Sequence, residues 1–386
     1  MKFNIISGLF IVMTVINTHA YSLSDSELTK QTQYVSNDIY SGIPVMGAWQ
    51  YATGRGVVIA IIDTGIAEHG DLNLAPGFDM VSYFSEADLE NDGDGGRDND
   101  PTDNGDNGQY FQWHGLSVAG VAAANGGLVD GIKGVAYDAS ILPIRAMGQC
   151  SIITVNGKTG QTCFAIGDII DAIYWATGNR KEDGSKWVMN APFNTHPANV
   201  INISLTARGT SDPRLQEAID FAIGKNITIV AAAGNHQWNE SNVEETYAEK
   251  FQPASCHNVI TVAATGLLQR HLDISNVWGQ QVDSINVIDI AAPGRLLHTL
   301  SNTGESAPEY DKYTQKTGTS FAAPMVAGTA ALLYEINPQA TIVDIRNAMM
   351  NTTNSLGCPP KYCGSGVLNT EEAVNYMFKK INANDN

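Results

Sequence analysis

Five short runs dense in valine and isoleucine are apolar on both of their alternating faces, and stretches of helical spacing separate them. Val57 to Ile62, Val135 to Ile144, Val200 to Leu205, Ile227 to Ala233 and Val259 to Ala264 read as strands. A strand apolar on both faces must be covered on both, the situation in parallel sheets flanked by helices. Asp168 to Ala176 and Leu215 to Ile223 repeat their apolar residues at the intervals of a helix face. Alternating strand and helix predicts the α/β class, a doubly wound, mainly parallel sheet with helices on both faces. Reactive groups in such sheets gather at the carboxyl ends of strands, where Asp63 and Asn235 both fall.

The amino terminus reads as a processing signal. Met1-Lys2 is basic, Ile5 to Ile16 is apolar, and Thr18-His19-Ala20 is a small-x-small cleavage site. An apolar run of 12 residues is short for a bilayer, which takes about 20. Residues 1–20 are therefore expected to be a signal peptide, 21–40 a short N-terminal segment, and 41–386 one domain without repeats or linkers. The 22 Lys and Arg against 40 Asp and Glu leave a net charge of −18, or −19 without Lys2. Such acidity argues against nucleic acid or an anionic membrane as the main partner, and fits an exported, soluble monomer. Export also permits disulfides. Closeness in sequence pairs Cys358 with Cys363 and Cys150 with Cys163.

Three separated segments carry the groups that nucleophilic catalysis requires. They read Ile61-Ile62-Asp63-Thr64-Gly65, Trp113-His114-Gly115-Leu116-Ser117-Val118-Ala119-Gly120 and Gly318-Thr319-Ser320-Phe321-Ala322-Ala323-Pro324. Ala232-Ala233-Gly234-Asn235 lies between the last two. A neutral serine hydroxyl is a poor nucleophile without an adjacent base. Ser320 enters a small-residue helix predicted over Phe321 to Tyr334, and His114 opens another over Gly115 to Ala124. A carboxylate such as Asp63 fixes an imidazole's tautomer and stabilises its charged form. The order Asp, His, Ser with these flanks resembles the subtilisin-like serine proteases. It differs from the orders of chymotrypsin-like enzymes and α/β-hydrolases. The resemblance runs from about Asp38 to Ala373.

That resemblance implies a secreted serine endopeptidase with a subtilisin-like fold, acting on proteins or peptides through an acyl-enzyme. Asp63, His114 and Ser320 would form the triad, and Asn235 with the Ser320 backbone amide the oxyanion hole. Extended substrate would add as a strand along Ile203 to Ala207 and along the loop after Met147. Ser204, Leu205, Thr206, Ala232, Ala233 and Gly234 would contact it. The family's usual Ser-Leu-Gly-Gly is here Ser204-Leu205-Thr206-Ala207, so side chains replace glycines and small residues are expected before the scissile bond. Leu116 replaces a threonine near the base, while Phe321 and Met325 replace the Met and His of many relatives. His69 matches a scaffold histidine just after the catalytic Asp. In some relatives the carboxylate matching Asp71 binds calcium. Relatives also bond the cysteine of a Pro-Ala-Ser-Cys segment to one after the Ser-Leu-Gly-Gly strand. Arg208 to Asp212 contains no cysteine, so Cys256 is the odd thiol. About 20 residues separate Ala20 from Tyr40, short for the family's folding propeptide. Unaided folding is implied, or a separate folding factor or inhibitor.

Between Asp63 and His114 runs an acidic stretch, Asp92 to Asp106, with six carboxylates in 15 residues: Asp92, Asp94, Asp98, Asp100, Asp103 and Asp106. Carboxylates interspersed with glycines suit calcium. The spacing is not that of an EF-hand, but it resembles an Asp-Gly-Asp-Gly-Arg-Asp-x-Asp-Pro-x-Asp loop of secreted bacterial relatives, with one extra glycine. Calcium is the expected cofactor, against a solvated charge run. Two readings from other classes stay open: a non-catalytic binding protein on the same fold, and a homodimeric aspartic protease using Asp63-Thr64-Gly65.

Overall fold

The computed structural model describes residues 31–34, 42–82, 96–105, 112–128, 131–150, 161–163, 165–209, 212–235, 247–277, 287–354 and 357–384. The expected signal peptide lies outside the described residues, as do Asp92, Asp94 and Asp106. The strands are β1 (Val58–Asp63), β2 (Phe78–Asp79), β3 (Ser140–Arg145), β4 (Gly148–Cys150), β5 (Gln161–Cys163), β6 (Val200–Ile203) and β7 (Ala207–Arg208). There follow β8 (Thr228–Ala232), β9 (Phe251–Gln252), β10 (Ile260–Thr265), β11 (Ile290–Pro293), β12 (Leu297–Asn302) and β13 (Asp311–Lys316). The helices are α1 (His114–Ala123), α2 (Ile166–Ala176), α3 (Pro213–Gly224), α4 (Thr319–Ile336), α5 (Ile342–Met350) and α6 (Thr370–Asn384), with a single turn at Pro360–Cys363 before α6.

Seven strands form one sheet in the order β11-β10-β8-β6-β1-β3-β2, and every pairing in it is parallel. Because side chains alternate across a strand, β1 feeds two cores at once. Ile59 and Ile61 pack in the core with α1 and α4 residues such as Leu116, Val118, Phe321 and Val326. Ala60 and Ile62 pack in the opposite core with Ile169, Ile173, Leu215 and Ile219 of α2 and α3. Each fully buried isoleucine contributes of order 2 kcal/mol, so neither face tolerates a charge. The winding reverses between β1 and β6, and at such a switch the carboxyl ends diverge to leave a crevice.

The expected strand over Val135 to Ile144 begins only at Ser140. Gly134 packs so closely on the end of α1 that a Cβ there would stand 2.4 Å from Ala123 N. The amides of Val135 and Ala136 then bond to the carbonyls of Val121 and Ala122, which turns 135–139 away from the sheet. In the segment Ile203 to Ala207, Ile203 ends the central β6 and Ala207 pairs with Gln252 of β9, while Ser204 to Thr206 lie between the two without a strand partner among the described residues. Cys358 and Cys363 form a disulfide with Cα atoms 5.9 Å apart. The side chains of Cys150 and Cys163 lie outside the described set, although β4 and β5 pair antiparallel. Cys256 is a buried thiol. No described helix is long and apolar enough to cross a membrane.

Candidate active site

Asp63 is the last residue of β1, paired with Arg145 of β3 and fully buried. Its Oδ1 accepts the His114 Nδ1–H at 2.7 Å and the Thr64 amide at 2.8 Å. Its Oδ2 is buried without a hydrogen-bond partner among the described residues. A carboxylate that accepts at Nδ1 assigns the imidazole's proton to that nitrogen and leaves Nε2 as the basic atom. His114 opens α1, where first-turn amides lack partners within the helix. One is served from outside, since the Gly115 amide donates to Thr64 Oγ1 at 3.0 Å. Gly115 is required here, because a Cβ would fall 2.2 Å from Gly65 O. Leu116 is fully buried in the core beside it, so the threonine-to-leucine departure is a packing change. Trp113, ahead of His114, is left-handed at φ 56°, held by its indole N–H donating to Gly304 O at 3.0 Å.

Ser320 is the second residue of α4. Its Oγ donates to Ser204 O at 3.2 Å, while Ser204 Oγ donates to Ser320 O at 2.7 Å. The next side chain, Phe321, has its ring 5.2 Å from that of His114, so the start of α4 packs against this histidine. Asn235 follows β8. Its Oδ1 accepts from the Thr319 amide at 3.0 Å and the Thr319 hydroxyl at 3.1 Å, which fixes the orientation of the side-chain amide. Gly318 has φ +148°, and a Cβ on it would stand 3.2 Å from Asn235 Nδ2. A side chain there would crowd the amide.

On the other side of the crevice, Leu205, Ala232 and Ala233 are buried, and Thr206 is half-buried. Thr206 faces Gly234: its Cγ2 and Oγ1 each lie 3.5 Å from where a Gly234 Cβ would be. The 232–235 turn is braced by Asn276, whose backbone amide donates to Gly234 O and whose side chain donates to Ala233 O, both at 2.9 Å. This brace was not foreseen; the polar pair Ser275-Asn276 was its only sequence trace.

The acidic stretch divides. Arg97 donates to Asp168 and Asp171 of α2 at 2.6 Å each and to Met80 O at 3.0 Å, tying the stretch to the fold by a protein cation. Asp98 accepts from the Asp100 amide, and Asp100 from the Thr102 amide, in short local turns. Asp103 instead points inward: Oδ2 accepts the Thr64 hydroxyl at 2.6 Å and Oδ1 the Gly105 amide at 2.8 Å. Burial pushes its carboxyl up to about 6, against those hydrogen bonds. Asp103 is thus engaged with Thr64 and Gly105 in the interior. Asp71 is engaged likewise: its oxygens accept the amides of Leu128 and Ile132 and the Tyr313 hydroxyl. Among the described residues no group of three or more His, Cys, Asp or Glu could hold a metal. His69 is buried with its ring against Tyr313, and burial lowers its pKa, as suits a scaffold residue.

A parallel α/β sheet thus carries a buried Asp–His pair at the carboxyl end of β1, and a helix whose second residue is Ser320 packs against that histidine, an arrangement suited to nucleophilic chemistry. The sequence model of the subtilase family matches residues 54–373, and the chain belongs to that family. It is 34% identical over 366 residues to an extracellular protease of Xanthomonas campestris pv. campestris, covering 91% of this chain and 56% of that protein. It is 32% identical over 380 residues to an extracellular basic protease of Dichelobacter nodosus, with 92% and 56% covered. The chain thus spans a little over half the length of these two relatives. The solved structure of a protease from Pseudoalteromonas arctica superposes with a TM-score of 0.75 at 34% identity, covering 90% of this chain and 97% of that one.

Proposed function

We propose that this chain is a secreted serine endopeptidase. Ser320 Oγ attacks the substrate carbonyl while His114 Nε2 takes its proton; His114 then gives that proton to the leaving amine, and afterwards activates the water that frees the acyl group. Asp63 holds the Nδ1 proton throughout. The negative charge on the attacked oxygen is met by Asn235 Nδ2 and the Ser320 backbone amide, donors fixed before reaction begins. The observation that carries this reading is the buried 2.7 Å His114–Asp63 bond beside a helix whose second residue is Ser320. An aspartic dyad would need a second such carboxylate, whereas Asp63 is already committed to a histidine. Hydrolysis of a mixed peptide library by the wild type but not by folded Ser320→Ala is the test; equal activity in both would end the proposal.

Substrate binds against Ser204, Leu205 and Thr206 on one side and Ala232, Ala233 and Gly234 on the other, with small side chains preferred before the scissile bond. Support for this preference is the approach of Thr206 to Gly234. Export follows from the leader-like residues 1–20 and agrees with the relatives' names. Calcium at the acidic stretch is supported by its sequence and by the exposure of Asp100; it takes no part in the chemistry above.

A further inference from the structure

We propose that Asp103 is a positioning residue for His114, acting through the hydroxyl of Thr64. This rests on the triad reading above and adds to it a pair that motif comparison assigned elsewhere or not at all. Thr64 has two connections to the catalytic pair. Its amide donates to Asp63 Oδ1, and its Oγ1 accepts the amide of Gly115, the residue after His114. A hydroxyl rotates freely about its C–O bond, so its lone pairs point at Gly115 only if its proton is committed elsewhere. Asp103 Oδ2, at 2.6 Å, is the acceptor that commits it.

Asp103 is itself held by more than that contact. It is 5% exposed, its Oδ1 takes the Gly105 amide, and its own amide reaches Ile66 O. Gly105 in turn lies against Trp113 and Glu305, where a Cβ would stand 3.1 Å from Trp113 Cζ2 and 2.6 Å from Glu305 O. The 103–105 turn therefore touches both Thr64, beside the acid, and Trp113, beside the base. Trp113 supplies no side-chain cap to α1. The Thr64 hydroxyl is consequently an external cap for the helix that carries His114, and Asp103 sets its direction. Such a cap controls the tilt of the first turn, hence the line from His114 Nε2 to the serine. An ångström of error in that line is costly in rate while leaving substrate binding intact.

The test compares Thr64→Ala, Thr64→Ser, Asp103→Asn and the double variant Thr64→Ala/Asp103→Asn. For each, kcat and KM are measured on one peptide substrate, and the His114 titration is followed by NMR. Thr64→Ala is expected to lower kcat roughly tenfold, the size of one lost hydrogen bond, with KM within about twofold and a shifted His114 titration. Thr64→Ser, which keeps the hydroxyl, should restore both. The double variant should be no worse than Thr64→Ala, because Asp103 acts through Thr64. Wild-type kcat and titration in folded Thr64→Ala would overturn the proposal, as would multiplying effects in the double variant. If Thr64→Ala and Asp103→Asn both fail to fold while Thr64→Ser is normal, the clamp is structural and the positioning role is refuted. Failure of the triad reading is separate: wild-type protein would then show no hydrolysis at all.

Discussion

Replacing Thr206 by glycine should convert a pocket for small side chains into one that accepts aromatic rings. Thr206 Cγ2 and Oγ1 stand 3.5 Å from the point a Gly234 Cβ would occupy. With a carbon–carbon bond of about 1.5 Å, those atoms lie no more than about 5 Å from Gly234 Cα. A flat ring between two walls needs about 3.5 Å on each side, roughly 7 Å in all. On the proposed reading, alanine fits this gap and phenylalanine does not. A single methylene of pocket space is worth about 10–200-fold in kcat/KM, and Thr206→Gly clears more than one, so the Phe-to-Ala ratio should rise by at least on the order of 10². The assay uses two peptide anilides that differ only in the residue before the scissile bond, with melting temperature as a control for the added glycine. A ratio within about threefold of wild type, in folded protein, would refute the reasoning.

Other outcomes follow from the same geometry. Asn235→Ala should lower kcat by about 10²–10³ with KM little changed, as expected for a donor that meets charge only in the transition state; a loss confined to KM would contradict that role. Asp103 has a folded pKa of about 6, above the roughly 3.9 of an unfolded aspartate. It therefore contributes stability fully below about pH 4 and loses it as pH rises through about 6. Between those limits the wild type should lose on the order of 3 kcal/mol relative to Asp103→Asn, read by denaturant unfolding, and parallel pH profiles would exclude the buried charge. Chelation should lower the melting temperature through the acidic stretch, yet leave kcat/KM unchanged well below the transition; an immediate, reversible loss of kcat/KM would place an ion in the chemistry.

The sheet was legible because a strand buried on both faces needs no distant partner to betray it. Val57–Ile62 and Val259–Ala264 differ from β1 and β10 by one residue at each end. The run at 135–139 failed because apolar content does not reveal that Gly134 packs on α1. The β12–β13 hairpin was missed for another reason: β13, Asp311–Lys316, is polar and half exposed, so it has no apolar period to detect. At the site, residue types and their order were readable, but directions were not. Asp103 was one of six similar aspartates in the sequence, and only its burial beside Thr64 separates it from Asp98 and Asp100. The orientation of Asn235 likewise depends on Thr319, 84 residues away.

The central claim is that Ser320 is the nucleophile activated by His114 and Asp63. Labelling purified, folded protein with a fluorophosphonate and locating the adduct by mass spectrometry tests it most directly. One label per chain is predicted, on Ser320, abolished in Ser320→Ala and greatly slowed in His114→Ala. Folded wild-type protein that takes no label, or carries it on another residue, would contradict the account.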